Sequence, residues 1–170
     1  MRRVCLVVLA AACVAACSAG AAGASGGGPY AYGVGGGWMG FAPGEHVAHF
    51  AFSAHEGPNG DFGQVHWNLE DPQLPLDVTI SVDCVNVFPS LVGGTAWMDG
   101  PVTKVSPQPN AYTITVGTRL AFEAVDSGLP SATTMVDEFD AFYETTPCKL
   151  QPPMYLGPDV TQGNIVVSTG

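Results

Sequence analysis

Apolar and polar side chains alternate through the segments 46–54 and 62–69, and this period of two is typical of a β-strand with one buried face. In the first segment Phe50 and Phe52 fall on the same face. Residues 56–61, between the two segments, are mostly turn-forming types, with Gly, Pro, Asn and Asp. The two segments are therefore predicted to form a β-hairpin, which commits this part of the chain to a sheet.

The same alternation recurs along the rest of the chain, at intervals of roughly ten residues. The further predicted strands are residues 76–87, 92–98, 102–105, 112–116, 120–125, 139–143 and 165–167. Segments 92–98 and 102–105 are predicted to form a second hairpin that turns at Asp99-Gly100. No segment after the first seventeen residues shows apolar spacing at the helical period. Short strands separated by Gly and Pro turns predict an all-β fold, either an antiparallel sandwich or a small barrel.

The first seventeen residues have the features of an export signal. Arg2 and Arg3 form a positive start, and residues 4–16 are an apolar run of signal-peptide length that is too short to span a bilayer comfortably. The run ends in Val14-Ala15-Ala16-Cys17, which resembles the bacterial lipobox, where a Cys after small residues is lipidated and becomes the new N-terminus. This resemblance implies that the membrane is a partner through a lipid anchor on Cys17.

An ordinary signal peptidase offers a second processing route. Cleavage after a small residue such as Ala16, Ala22 or Ala24 would leave Cys17 unmodified or discard it. Several acyl chains hold a protein stably on a membrane, whereas one chain gives only marginal binding. We favour the lipoprotein, so the expected location is outside the cytoplasm, as a cell-envelope lipoprotein or, by the second route, as a secreted protein.

Residues 18–37 are almost entirely Ser, Ala and Gly. Such a segment cannot bury enough apolar surface to offset the entropy lost on ordering, so it is predicted to be a flexible tether. The sequence thus divides into a signal peptide over residues 1–17, a tether over residues 18–37 and a single β domain over residues 38–170.

Basic residues are scarce in this chain. Five Lys and Arg stand against fifteen Asp and Glu, which gives a formal net charge of −10 at pH 7. Loss of the signal removes Arg2 and Arg3 and leaves three basic residues against fifteen acidic ones, a net charge of −12. So few cations cannot neutralise a phosphate backbone, which excludes nucleic-acid binding through electrostatics. The acidity is interpreted as a source of solubility outside the cell.

Two cysteines remain for the β domain once the signal is removed. Cys5 and Cys13 leave with the signal, and Cys84 and Cys148 stay. An exported chain with two thiols outside its anchor most simply forms one disulfide, so Cys84–Cys148 is the prediction. A reactive thiol or a soft metal ligand is the alternative, although neither Cys has a CxxC partner or a His close in sequence.

Several short motifs, taken in order, resemble a group of bacterial secreted and lipoprotein β domains, some of them labelled post-COAP-type. The motifs are Gly35-Gly36-Gly37-Trp38, Ala48-His49-Phe50-Ala51-Phe52, Cys84-Val85-Asn86-Val87, Gly93-Gly94-Thr95-Ala96-Trp97, Val125-Asp126-Ser127-Gly128 and Gly163-Asn164-Ile165-Val166-Val167. The acidic turn of this group usually has Asn where this chain has Ser127. The resemblance spans nearly all of the mature chain and implies a β domain outside the cytoplasm with no established chemistry.

Two groups of side chains are candidate metal ligands. His49 and His66 could meet across the strands of the first hairpin and bind zinc or copper. Asp126, Asp137 and Asp140 belong to an acidic stretch that could bind Ca²⁺ if a loop folded their oxygens inward. Solvated polar surfaces explain both groups more simply, so no cofactor is expected.

Three hypotheses for function follow from these patterns. The favoured one is a non-enzymatic binding or structural module with an unknown protein or glycan partner, because no nucleophile elbow or Cys-His pair selects a catalytic residue. A small extracytoplasmic hydrolase, using carboxylate or His residues, would need at least two of four residues to converge in a cleft. These residues are His49, His66, Glu123 and Asp126. A barrel for a small apolar ligand would need an interior that its own aromatic side chains leave open.

Overall fold

The computed structural model of the protein describes residues 31–42, 44–89, 93–128, 137–142, 148–152 and 157–169. The predicted signal peptide, Cys17 and most of the predicted tether lie outside these residues. The described elements are β1 (Tyr32–Gly40), β2 (Ala48–His55), β3 (Phe62–Leu69), β4 (Leu76–Val82), β5 (Cys84–Pro89), β6 (Gly94–Ser106), β7 (Arg119–Asp126), β8 (Glu138–Phe142), the 3-10 helix η1 (Cys148–Leu150) and β9 (Asp159–Ser168). Within the described ranges no helix has the length and apolar character needed to cross a membrane.

Eight strands close into a small antiparallel barrel. Their order is β4-β3-β2-β1-β9-β8-β7-β6, and pairing between β4 and β6 closes the ring. The ninth strand, β5, pairs with the first half of β6 outside the ring. The predicted all-β fold is therefore confirmed, and of its two predicted forms the structure has the barrel.

The interior of the barrel is filled with stacked aromatic rings. Phe139 lies 4.3 Å from Phe50 between ring centroids, 5.4 Å from Phe52 and 5.6 Å from Phe122. All four side chains are buried, as is Ile80. The open interior that a lipocalin-like ligand site would require is absent from the described part of the barrel.

The predicted hairpin at Asp99-Gly100 is wrong, because β6 runs through these residues as one continuous strand of 13 residues. Asp99 does not turn the chain, and its carboxylate instead forms an ion pair with Arg119. Gly100 is required for a different reason, since a Cβ there would overlap the backbone carbonyl of Ser81 in β4. The predicted strand 76–87 is also interrupted, at Asp83 between β4 and β5.

Residues 112–116 were predicted as a strand but belong to the connection between β6 and β7. The side chain of Asn110 holds this connection, because its Oδ1 accepts hydrogen bonds from the backbone N–H groups of Tyr112 and Ile114, each at 3.1 Å. Its Nδ2 also donates to the carbonyl of Ile114 at 2.8 Å. Ile114 is buried and Val116 is exposed. The alternating pattern of residues 112–116 therefore belongs to a loop that the Asn110 side chain holds by hydrogen bonds, and not to a strand.

The predicted tether ends too late, since residues 32–37 are part of β1 and lie between β2 and β9. Glycine is needed here because the barrel interior comes very close to the β1 backbone. A Cβ at Gly33 would lie 2.9 Å from the Cβ of Ala96, and one at Gly35 would lie 2.8 Å from the ring of Phe52. The glycines that suggested a flexible tether therefore leave space for side chains of other strands, such as the ring of Phe52.

We expect Gly35→Ala to lower the free energy of unfolding by about 1–3 kcal/mol, the usual cost of overpacking. The added methyl would meet the ring of Phe52 and, at 2.9 Å, the backbone oxygen of Asn164. Urea denaturation measures the change. Gly36→Ala is the matched control, because its nearest contact is 3.3 Å away and both variants restrict the unfolded chain equally. Equal stability of the two variants would contradict this account of β1.

Candidate functional site

The two candidate histidines lie on the same outer face of the β2–β3 hairpin but have different partners. His49 pairs with Asn68 in the strand register, and His66 pairs with Ala51, so the two rings are diagonal neighbours. His66 Nε2 hydrogen-bonds Asp77 Oδ1 at 3.0 Å, whereas His49 packs edge-on against Trp38 at 5.2 Å between centroids. Each imidazole is thus engaged separately.

One group of three potential metal ligands occurs among the described residues, and it does not contain the predicted histidines or aspartates. It consists of Cys84, Asp99 and Cys148. Because Cys84 and Cys148 form a disulfide with a Cα–Cα distance of 6.1 Å, their sulfurs are not thiolate ligands. The predicted disulfide is confirmed, and the group has a structural role.

Two of the candidate calcium ligands, Asp126 and Asp137, instead accept hydrogen bonds from the backbone of β9. Asp137 Oδ2 accepts from the N–H of Ile165 at 2.8 Å, and Asp126 Oδ2 accepts from the N–H of Val167 at 2.9 Å. Among described residues, β8 and β9 share a single register pair, Glu138 with Asp159. The two carboxylates therefore replace carbonyl acceptors where the backbone ladder between these strands is missing. We call this pair the carboxylate bridge.

The basic side chains Arg119 and Lys149 stabilise the structure around β5. Arg119 forms an ion pair with Asp83 at 2.6 Å and one with the buried carboxylate of Asp99. The hydrogen bond to Asp83 is the main reason that the pKa of Arg119 is raised above its usual value. Lys149 Nζ contacts Glu56 at 2.6 Å and Asp61 at 3.0 Å, which ties η1 to the β2–β3 turn.

The four residues on which the hydrolase hypothesis depended do not line either of the cavities described below. Glu123 is buried in β7, and Asp126 belongs to the carboxylate bridge. A Ser–His hydrogen bond is present, between Ser53 Oγ and His55 Nε2 at 2.8 Å, beside a depression of about 460 Å³ at the β2–β3 turn. In the described chain no carboxylate orients this imidazole, because Asp61 in the same depression binds Lys149 and the N–H of Val85.

A cavity of about 540 Å³ opens at the end of the barrel where β1, β3 and β8 finish and β9 begins. We call it the mouth cavity. Its floor consists of side chains that belong to the hydrophobic core or pack against it, namely Met39, Val47, Ala48, Trp67, Leu69, Tyr112 and Ala141. Its exposed rim includes Phe41, His46, Glu70, Asp71 and Pro72, and the half-buried Asp140 and the buried Pro158 also line it. An apolar floor with a few polar groups at the edge is the usual composition of a small-molecule site.

The indole of Trp67 carries a buried polar group without a partner. Its Nε1 has no hydrogen-bond acceptor among the described residues, although the atom is inaccessible to solvent. The ring packs edge-on against Phe122, at 6.1 Å between centroids, and so is fixed from the core side. Buried indole N–H groups usually have an acceptor. Trp67 therefore lines the mouth cavity, but its indole N–H is an unsatisfied donor that solvent does not reach.

The charged rim makes the mouth cavity electrostatically negative. Burial raises the pKa of Tyr112, and the negative charge of Asp71 raises it further. Burial also raises the pKa of Asp140, partly offset by the hydrogen bond from the N–H of Ala141. No Lys or Arg is among the described residues that line the cavity. An anion entering the mouth would therefore meet several carboxylates and no compensating cation.

Asp140→Asn is expected to stabilise the protein at pH 7 and to have little effect at pH 3. Because the pKa of Asp140 is raised on folding, the native state binds more protons than the unfolded chain between the two pKa values. Stability contributed by this residue thus decreases as pH rises through that interval, and the amide removes the penalty while still accepting from Ala141. Urea denaturation at both pH values measures it.

Glu138→Gln provides a second test of the same linkage, because burial also raises the pKa of Glu138. A destabilisation of equal size at pH 7 and pH 3 in either variant would show that packing or hydrogen bonding matters more than ionisation.

These features define the class of protein as a small closed β-barrel with one disulfide-linked outer strand and an open mouth cavity. No protein-family model, curated protein or solved structure matches the chain. The resemblance of its motifs to secreted and lipoprotein β domains therefore stays a prediction.

The mouth cavity was missed by sequence reasoning because its walls come from segments with other predicted roles. Trp67 belongs to the predicted strand 62–69, and Tyr112 to the predicted strand 112–116. The turn that follows β3, with Glu70, Asp71 and Pro72 directly after the apolar Leu69, is the one local signal that an acidic edge adjoins an apolar floor.

Proposed function

We propose that the protein is an exported, lipid-anchored β-barrel domain that acts outside the cytoplasm as a non-enzymatic binding module. The observation that carries the proposal is the mouth cavity, which has the size and the mixed apolar and polar lining of a ligand site.

The proposed location is supported by the export features of residues 1–17 and by the Cys84–Cys148 disulfide. Disulfides form and persist in oxidising compartments, such as the bacterial periplasm and the cell surface. Cys84 and Cys148 are also the cysteines that remain after the predicted signal and anchor are set aside. Both observations agree with folding after export.

The direction of the barrel also fits an anchored binding module. Tyr32 begins β1 and pairs with Ser168, whereas Met39 and Gly40 lie at the opposite end of β1, beside the mouth cavity. A strand of nine residues spans roughly 30 Å. A chain anchored through Cys17 would enter the barrel at Tyr32, at the end of β1 opposite the mouth cavity.

Expression of the full chain in a bacterial host tests the anchored part of the proposal. We expect the wild type to partition into a detergent phase and to carry diacylglycerol on Cys17 by mass spectrometry, and Cys17→Ala to lose both properties. Wild-type protein that is cleaved after an alanine and stays in the aqueous phase would overturn the lipid anchor.

The non-enzymatic part is tested with the purified barrel. We expect thermal-shift screening of a small-molecule library to yield stabilising ligands, and chromogenic ester and glycoside substrates to show no turnover above background. Turnover that disappears in His55→Ala would favour the hydrolase alternative, because it would implicate the Ser53–His55 hydrogen bond.

A further inference from the structure

We propose that Cys84, Asp99 and Cys148 bind a thiophilic divalent cation such as Zn²⁺ when the disulfide between the two cysteines is reduced. These residues are the one group of three potential metal ligands among the described residues, and one ligand atom of each lies within 4.8 Å of the others. The inference is independent of the mouth cavity and of the lipid anchor. It adds a redox-controlled metal site to the proposed function.

The strand register places two of the three ligands side by side. Cys84 in β5 and Asp99 in β6 are directly paired across the antiparallel strands. Directly paired residues have their Cβ atoms about 5 Å apart on the same face of a sheet. Cys148 is brought to this pair by η1, which packs beside β5. The ligands therefore come from three elements whose packing fixes their separation.

Contacts other than the disulfide also hold η1 and the residues after it. The Nδ2 of Asn86 donates to the carbonyl of Cys148 at 3.1 Å, and the indole N–H of Trp97 donates to the carbonyl of Pro152 at 3.0 Å. Lys149 adds its two ion pairs with the β2–β3 turn. Reduction breaks none of these contacts directly, so the thiol of Cys148 stays near the other two ligands.

The donor set of this group fits zinc. Thiolate sulfur and carboxylate oxygen are both common zinc ligands, and three protein ligands leave the fourth position of a tetrahedral ion for water. Bonds of about 2.3 Å from zinc to each sulfur place the two sulfurs about 3.8 Å apart in this geometry. Two nonbonded sulfurs lie at a similar distance from each other, so the reduced pair needs little rearrangement to share one ion.

Burial and charge favour a cation among these ligands. Cys148 is fully buried and Asp99 is 8% exposed, whereas Cys84 is partly exposed and leaves the ion a path from solvent. Two thiolates and one carboxylate carry three negative charges, which a divalent ion reduces to one. The guanidinium of Arg119, which pairs with Asp99, offsets this remaining charge and orients the carboxylate. Buried charges require such compensation.

The change of state needs a dithiol, the class of reductant that exchanges with protein disulfides. Two electrons and two protons pass from the dithiol to the disulfide, which leaves Cys84 and Cys148 as thiols and the reductant as a disulfide. Zn²⁺ then displaces the two thiol protons and binds the thiolates. Oxidation by a disulfide of the same class takes the two electrons back, re-forms the bond between the sulfurs and releases the ion, while two protons from solvent complete the dithiol.

Cobalt binding tests the site in a parent chain, which is the full chain with Cys5→Ala, Cys13→Ala and Cys17→Ala, so that Cys84 and Cys148 are its only thiols. The parent chain is reduced with a phosphine, which is removed under argon before Co²⁺ is added. We expect sulfur-to-cobalt charge-transfer absorption and the d–d bands of tetrahedral Co²⁺, saturating at one ion per chain. Added Zn²⁺ should abolish both signals, and the oxidised parent chain should show neither.

Thermal unfolding of the parent chain gives a second measurement that needs no further variant. Zn²⁺ should raise the unfolding temperature of the reduced protein and leave that of the oxidised protein unchanged, because the ion stabilises the state that it binds. Equal unfolding temperatures of the reduced protein with and without Zn²⁺ would overturn the proposal, since an unfolded chain that binds the ion as tightly does not have a built site.

Asp99→Asn and Asp83→Asn form a matched pair of variants. Each removes a carboxylate that pairs with Arg119, but only Asp99 belongs to the ligand group. We expect Asp99→Asn to weaken Co²⁺ binding at least about tenfold and Asp83→Asn to change it less than about threefold. Thermal unfolding checks that both variants fold, and the spectrum of the parent chain keeps the proposal testable if Asp99→Asn does not.

The outcomes also separate this inference from the proposed function. A folded, reduced parent chain without charge-transfer absorption would overturn the metal site, and equal weakening in Asp99→Asn and Asp83→Asn would overturn the three-ligand arrangement. Either result would leave the binding module in place, because the proposed function is judged by lipidation, turnover and the ligand screen.

Discussion

Truncating Phe139 to alanine is expected to lower the free energy of unfolding by about 3–5 kcal/mol, the usual cost of removing a buried aromatic ring. Phe139 is fully buried and stacks almost parallel on Phe50, with an interplanar angle of 8°. It also contacts Phe52 and Phe122, so its loss would leave a void between three other rings. Urea denaturation, followed by far-UV circular dichroism, measures the effect.

Phe62→Ala is the control for Phe139→Ala, because Phe62 is 56% exposed at the start of β3. We expect this variant to change the free energy of unfolding by less than about 1 kcal/mol. A loss for Phe139→Ala as small as that of Phe62→Ala would mean that the barrel interior collapses easily and is not held by its aromatic stack.

Removing the disulfide by the double substitution Cys84→Ala/Cys148→Ala is expected to cost about 2–5 kcal/mol. The bond links residues separated by 64 positions, for which loop-closure entropy alone corresponds to about 4 kcal/mol. Native contacts around η1 would weaken as well, because the bond holds Lys149 near Glu56 and Asp61. Alanine is a better replacement than a polar residue, since Cys148 is fully buried in an apolar cluster with Trp97 and Ala121.

Reduction of the wild type provides the control for the disulfide prediction. Dithiothreitol should lower the stability of the wild type to near that of the double variant and should leave the double variant unchanged. A wild type that unfolds at the same urea concentration with and without reductant would contradict a stabilising role for this bond.

The strands of this fold could largely be predicted from the sequence, because a period of two depends only on which side chains are buried. The first hairpin is such a case, because Phe50 and Phe52 share one face of β2 and Phe52 lies opposite Val65 in β3. Closure could not be predicted in the same way. A sandwich and a barrel require the same alternation, and the difference lies in whether β4 pairs with β6.

Errors in the sequence predictions share a physical cause, which is that a residue type can serve two purposes. Glycine in Gly33 and Gly35 suggested a flexible tether, but it allows neighbouring side chains to approach. Asp99 with Gly100 suggested a turn, but the pair lies within a strand beside Arg119. A residue type indicates a local conformational preference. The conformation at these positions is instead determined by contacts with segments that are distant in the sequence.

The candidate site was less predictable than the fold. Disulfide pairing followed from counting thiols, so Cys84 and Cys148 were predicted correctly. The acidic residues suggested calcium, yet Asp126 and Asp137 bind backbone N–H groups of a strand far along the chain. Likewise, the mouth cavity forms where the ends of several strands meet the connection that contains Tyr112. This arrangement depends on the strand topology and could not be predicted from local sequence.

The pairing of β1 with β9 has a consequence for how the chain folds. The register joins Tyr32 to Ser168, residues near opposite ends of the described chain, so this contact has a very high sequence separation. Contacts of this kind slow folding, because the entropy of closing the long loop is lost before they form. The hairpins β1–β2, β2–β3 and β3–β4 can form early, and β1 then presents an unpaired edge until β9 arrives. During that interval the glycine-rich edge of β1 is open to pairing with another chain, so a folding helper that covers this edge would prevent misassembly.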